Sequence, residues 1–173
     1  MKKFLIIVSA GFIGLLSSCN SKKEESGMSD KAKKNLEANA AITKMFETGD
    51  WSKVGDYIAA DGIDHTGMTG EVKGLDSLKA EFVMMGNMMS DMKNEVVKEL
   101  ADDDYVMSWM KESWTMKADG MGMKAGDKMN VNAIDVSKFK DGKSTDHWGF
   151  ISMTDMMKMM PPPPPAKDTT MHK

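Results

Sequence analysis

The chain reads as an α+β protein, with helices packed on one face of an antiparallel sheet. Three observations predict this. Apolar residues recur at helical spacing as far as about residue 89, and beyond it they alternate with period two. Polar or proline-rich stretches flank the patterned region on both sides, which sets the globular part at residues 31–156. Without its first 18 residues the chain retains roughly 155, the size of one domain with tails.

The leader comes first. Lys2 and Lys3 precede an apolar run from Phe4 to Leu16, the pattern of a signal peptide over residues 1–18. That run is shorter than the roughly 20 residues a permanent membrane span requires. Leu16-Ser17-Ser18-Cys19 resembles the lipobox of bacterial lipoproteins. The resemblance implies that Cys19 is acylated and anchors the protein to a membrane. An ordinary secretory signal with a stray cysteine is the alternative. Asn20 behind the cysteine favours the outer membrane, and Lys22-Lys23-Glu24-Glu25 is similar to the export signal of surface lipoproteins in the Bacteroidota. The expected location is therefore the cell envelope, as an outer-membrane lipoprotein facing the periplasm or the surface. Residues 19–30 form a charged, non-periodic tether. Cys19 is the sole cysteine, so no thiol is left for a disulfide, a metal or nucleophilic catalysis.

Asp30 is expected to cap a helix running to about Thr48, with Ala38, Ala41, Ile42, Met45 and Phe46 on its apolar side. Gly49-Asp50 ends it, and Trp51 to Ala59 reads as a second short helix. An extended piece from Gly62 to Thr66 follows. Leu75 to Met89 makes a third helix, with Leu78, Phe82, Met85 and Met89 on one face. Four strands come next: Glu95 to Leu100, Tyr105 to Met116, Lys128 to Phe139 and Ser144 to Met153. Residues 157–173, with five consecutive prolines from Pro161 to Pro165, are expected to be a disordered tail.

Composition removes some function classes. Net charge is −3, all 23 basic residues are lysine, and no basic stripe is present, which argues against nucleic-acid binding. The absence of arginine also removes the usual fork for phosphates and carboxylates.

Several segments together carry a resemblance. Phe46-Glu47-Thr48-Gly49-Asp50-Trp51, Ile63-Asp64-His65, Gly74, and Asp135-Val136-Ser137-Lys138-Phe139-Lys140-Asp141-Gly142-Lys143 with His147-Trp148 resemble, in order and spacing, the SnoaL-like branch of the NTF2-like superfamily. The resemblance covers about residues 32–154. It implies an NTF2-like cone, with three N-terminal helices on a curved antiparallel sheet enclosing an apolar pocket. The family includes polyketide cyclases, isomerases, dehydratases and proteins without demonstrated activity, so fold alone does not assign function. A homodimer through the convex sheet face, where this superfamily often pairs, stays open. Ser144 departs from the branched apolar residue usual there, so the last strand is expected to shift or fray at its start.

Alternation along the third strand puts Met129, Val131, Ala133, Asp135 and Ser137 on one face, an apolar surface broken by one carboxyl group. A carboxyl group in such a site has a raised pKa and serves as hydrogen-bond donor or general acid. Ketosteroid isomerase, a known case of this behaviour, is the related example the resemblance supplies. The alternative is an Asp135 paired with lysine on a wet face. Asp64 and His65 lie where related enzymes keep a base, and His65 has the intrinsic pKa for that work. Asp64 as a turn cap and His65 at the sheet edge is the other reading. Within Asp146-His147-Trp148, alternation separates His147 from its neighbours; Trp148 is assigned to the core or pocket wall and His147 to solvent. The expected pocket lining is Trp51, Phe82, Met110, Trp114, Val131, Ala133 and Trp148.

The 21 methionines admit two readings. Thioethers bind Cu(I), and the runs Met84 to Met92, Met121-Gly122-Met123 and Met156 to Met160 are candidates. Methionine is equally an adaptable filler of core and pocket. The expectation is a lipid-anchored protein binding a small apolar molecule without catalysis and without a cofactor. A cyclase, isomerase or dehydratase using Asp64 or His65 with Asp135 is the alternative, and a Cu(I)-binding envelope protein the second.

Overall fold

Helix α1 (Asp30–Thr48) begins at the residue expected to cap it, so the cap lies one residue earlier. Ser29, not Asp30, accepts the Ala32 N–H at 3.0 Å, which leaves Asp30 in the first turn, where its charge complements the helix dipole. Gly49 ends the helix in the left-handed conformation (φ 70°) and returns its N–H to Met45 O at 2.7 Å. The computed structural model describes residues 27–160. The signal segment, Cys19 and the proline run lie outside the described residues.

After α1 the chain makes a single turn, α2 (Val54–Tyr57), and then enters strand β1 (Ile58–Asp64). The expected second helix is thus cut short. Ile58 pairs with Ser144 in the sheet, and that pairing overrides the helical spacing of Trp51, Val54 and Tyr57. A two-residue strand β2 (Val72–Lys73) folds back on β1, and α3 (Leu75–Met88) follows. Then come β3 (Met89–Ala101), β4 (Tyr105–Met116), β5 (Lys128–Lys140) and β6 (Lys143–Ile151), and α4 (Met153–Met159) closes the described chain.

The six strands form one sheet in the order β2-β1-β6-β5-β4-β3. It is mixed, which corrects the expected antiparallel sheet: β1 runs parallel to β6, and every other pair is antiparallel. The parallel pair is closed by a crossover through α3 and the β3–β5 meander. Register shifts interrupt β3/β4, β5/β6 and β1/β6, and such bulges bend the strands that carry them, curving the sheet around the helices. One shift leaves Thr145 unpaired, because Lys138 faces Asp146 while Phe139 faces Ser144. The helix count also departs from three before the sheet: α1 and α2 precede it, α3 interrupts it and α4 follows it.

α1 lies across the concave face and is docked by buried amides as well as apolar groups. Asn35, fully buried, donates to Asp102 O and Asp103 O in the β3–β4 turn, and Asn39 donates to Ser108 Oγ at 3.1 Å. The apolar core divides into three clusters. One joins helices and β1 around Trp51, Ile58 and Phe82; a second holds Met89, Trp114, Met116 and Val131; the third is Ala38, Val106 and Phe139. A cavity lies between the first two. At its far end α4 is held by Asp155, which accepts from Asn132 N, Ser152 Oγ and Lys158 Nζ. Those bonds keep the Asp155 carboxyl well below the usual range, the Asn132 N–H contributing most. Among the described residues, no helix is long and apolar enough to cross a membrane.

Candidate functional site

The cavity has a volume of about 280 Å³ and is bounded by α1, α3 and the inner face of the sheet. Its wall is mostly apolar. Phe46 comes from α1, Phe82 and Met85 from α3, Met110 and Trp114 from β4, and Ala133 from β5. Methionines supply much of the rest, among them Met89, Met92, Met121 and Met159. Such side chains adapt to an irregular space.

Polar groups meet on one side of this wall. β1 and β6 pair Asp64 with His147 in register, and Asp64 Oδ2 lies 3.1 Å from His147 Nδ1. Across the ring, His147 Nε2 is 3.8 Å from Asp135 Oδ2 on β5. Thr66 fixes the rotamer of Asp64: its N–H and Oγ1–H donate to Asp64 Oδ1 at 2.8 and 3.1 Å. The Thr66 oxygen in turn accepts the Gly149 N–H at 2.6 Å. Burial disfavours a charged ring at His147, but the carboxylates of Asp135 and Asp64 outweigh it and push its pKa up to about 10. His147 is therefore an imidazolium at neutral pH. Its side chain is 34% exposed, and that exposure opens into the cavity rather than to the outer surface. Burial also acts against the Asp64 carboxylate, yet the bonds from His147 and Thr66 hold its pKa below the usual value.

Glu112 completes the wall from β4, on the same face as Met110 and Trp114. Burial first, and the Asp135 charge second, raise its pKa to about 7, with His147 opposing. A group with that pKa exchanges protons readily near neutrality. Glu81 enters from α3 and accepts the Met68 N–H, with its other oxygen unpartnered.

The structure brings Asp64 and Asp135 together through His147 and leaves His65 out. His65 points to the other face of the sheet, where it stacks on Trp148 at 4.6 Å and bridges Glu71 (2.8 Å) and Asp146 (3.1 Å). Asp146, then Glu71, raise its pKa. Trp148 thus belongs to the outer surface, because strand parity gives the inner position to His147; the sequence assignment of these two is reversed. Trp51 and Val131 are buried in the core behind the wall and do not line the cavity. Phe82, Met110, Trp114 and Ala133 do line it.

The sequence reading missed His147 and Glu112, and only Glu112 carried a usable signal. The two-residue Asp141-Gly142 turn by itself would set Asp146 opposite Ser137; the bulge at Thr145 sets His147 there instead, on the inner face that Ser137 shares with Asp135. Glu112, by contrast, has the parity of Met110 and Trp114, which were already expected in the pocket.

A curved sheet folded around helices with an open, partly polar interior is the architecture of the NTF2-like class. Within it the chain belongs to the SnoaL-like polyketide cyclase family, whose model matches residues 36–160. Solved structures share the fold at low identity. A SnoaL-like polyketide cyclase of Agrobacterium tumefaciens superposes with a TM-score of 0.63 at 13% identity, over 72% of this chain and 95% of that one. A SnoaL-like protein of Jannaschia sp. CCS1 gives 0.69 at 13% identity, over 80% and 99%. An LEH-like epoxide hydrolase of Mycobacterium tuberculosis gives 0.63 at 13% identity, over 75% and 91%. No curated protein sequence is significantly similar to the chain.

Proposed function

We propose that this protein binds a small, largely apolar molecule in the cavity, with one polar group of the ligand set against the Asp64–His147–Asp135 chain and Glu112. The observation that carries the reading is a mostly apolar cavity of about 280 Å³ with its charged groups gathered on one wall. Filling that space tests it. A Cβ placed on Gly149 would sit 3.4 Å from Asp135 Oδ1 and 3.5 Å from Thr66 Oγ1, so a methyl is accommodated and a larger side chain projects among the polar groups. The neutral dye N-phenylnaphthylamine should bind the wild type saturably with one site. Gly149→Val should weaken it by about tenfold or more while the fold persists by circular dichroism. Equal binding by the two proteins would place the dye elsewhere and sink the reading.

A second reading, an enzyme of the cyclase, isomerase or dehydratase type, is favoured by Glu112. A carboxyl group titrating near 7 beside a fixed imidazolium supplies a base and an oxyanion donor in one cavity. The 3.8 Å gap between His147 Nε2 and Asp135 leaves that N–H free to turn to a substrate oxygen. Deuterium uptake next to the carbonyl of an aryl ketone, followed by NMR, tests it. Catalysis predicts uptake about 100-fold above buffer, falling at least about tenfold in Glu112→Gln. No difference between protein and buffer would leave binding alone.

The lipobox-like Leu16-Ser17-Ser18-Cys19 supports an envelope location, with the domain tethered to a membrane through an acylated Cys19.

A further inference from the structure

The polar wall is unbalanced in sign. Asp64, Glu81, Glu112 and Asp135 line the cavity, and His147 is the single basic side chain among its lining residues. The chain has no arginine, and Lys143, on the same strand as His147, turns away to donate to Gly55 O at 2.6 Å. His147 offsets one of the two aspartates it joins, so the wall keeps a net negative charge. Two of the remaining carboxyl groups are incompletely bonded. Among the described residues, no hydrogen bond reaches the Glu112 carboxyl group, whose backbone is paired within the sheet. Glu81, only 7% exposed, has an oxygen without a partner. An unpaired carboxylate in an apolar cavity is costly until a positive group joins it.

Among the described residues, no three His, Cys, Asp or Glu side chains converge at metal-ligand spacing, so these carboxyl groups do not form a metal site of that kind. An organic cation is the group that supplies the charge together with an apolar body. The rest of the wall suits such a ligand, because Phe46, Phe82 and Trp114 present aromatic surface, which attracts cations as well as apolar bodies.

We propose that the cavity selects a lipophilic organic cation, with its ammonium group seated against Glu112 and Asp135 and its apolar body among Phe46, Phe82 and Trp114. This rests on the reading of the cavity as a small-molecule site and names the ligand class it takes. Carboxylates of the same shape are excluded by like charge.

Isothermal titration calorimetry of the purified protein at pH about 8, where Glu112 is ionised, tests it with three probes. Phenylbutylamine, phenylbutanol and phenylbutyrate share one apolar body and differ in the charge of the head. The amine should bind about tenfold or more tighter than the alcohol, and the carboxylate weakest of the three. Glu112→Gln should weaken the amine by about tenfold and leave the alcohol within about twofold. Alcohol or carboxylate binding as tightly as the amine overturns the cation assignment and leaves the cavity reading standing. Failure of all three to bind overturns both.

Discussion

His147 is the residue on which the site turns, and its charge has a consequence for stability. Its pKa stands at about 10 against an ordinary 6.5, because Asp135 and Asp64 outweigh its burial. A raised pKa means that the folded state holds the proton more tightly than the unfolded one. The resulting stabilisation is complete below about pH 6.5 and is lost as pH climbs through about 10. The ring is about a third open to solvent in the cavity, so screening reduces the effect to the order of 1–2 kcal/mol. Thermal melts of the wild type should fall between pH 7 and pH 10 more steeply than those of His147→Gln. Parallel curves would mean that the ion chain does not form. Asp135 was legible in the sequence because a carboxyl group among apolar neighbours stands out, and Asp64 was singled out by the resemblance, together with His65. His147 was not legible, since a histidine in a mixed strand gives no sign of which face it takes until the register of its partner is known.

Helices and strands with local signals were readable, and those formed by distant partners were not. β4 begins and ends where alternation predicts, from Tyr105 to Met116. The second helix was over-read, because Ile58 answers to Ser144, a partner 86 positions away on β6. The parallel β1–β6 pair leaves no trace in either segment for the same reason. β3 was under-read at its start: Met89, Ser90 and Lys93 pair across a bulge at which Asp91 takes φ 55°, and a bulge breaks the period that sequence reading depends on. The polar docking of α1 was also hidden, since Asn35 lies outside the apolar set. Asn35→Leu removes the donor to Asp102 O and Asp103 O and should destabilise by about 1–3 kcal/mol in urea unfolding. A change below about 0.5 kcal/mol would show that water replaces the amide at no cost.

At the scale of the whole molecule, the divided core explains the cavity. Members of two clusters, Phe82 and Trp114, face each other across a space that neither fills, and α4 brings Met159 to its far end. Part of the methionine excess fills this core and wall, including Met89, Met110, Met116 and Met129, while Met84, Met107, Met153, Met156, Met157 and Met160 are exposed. The anchor belongs to this scale too. Cys19→Ser should move the protein from the membrane to the soluble fraction of cells that process lipoproteins, and retention in the membrane would exclude acylation as the tether. A ligand-binding cavity has an occupant, and native mass spectrometry of the protein as purified reads that directly. An organic mass bound one to one is expected, retained by the wild type and missing from Gly149→Val. Bare protein in both cases, each at its own sequence mass, with ligand mixtures adding nothing to either, would contradict it.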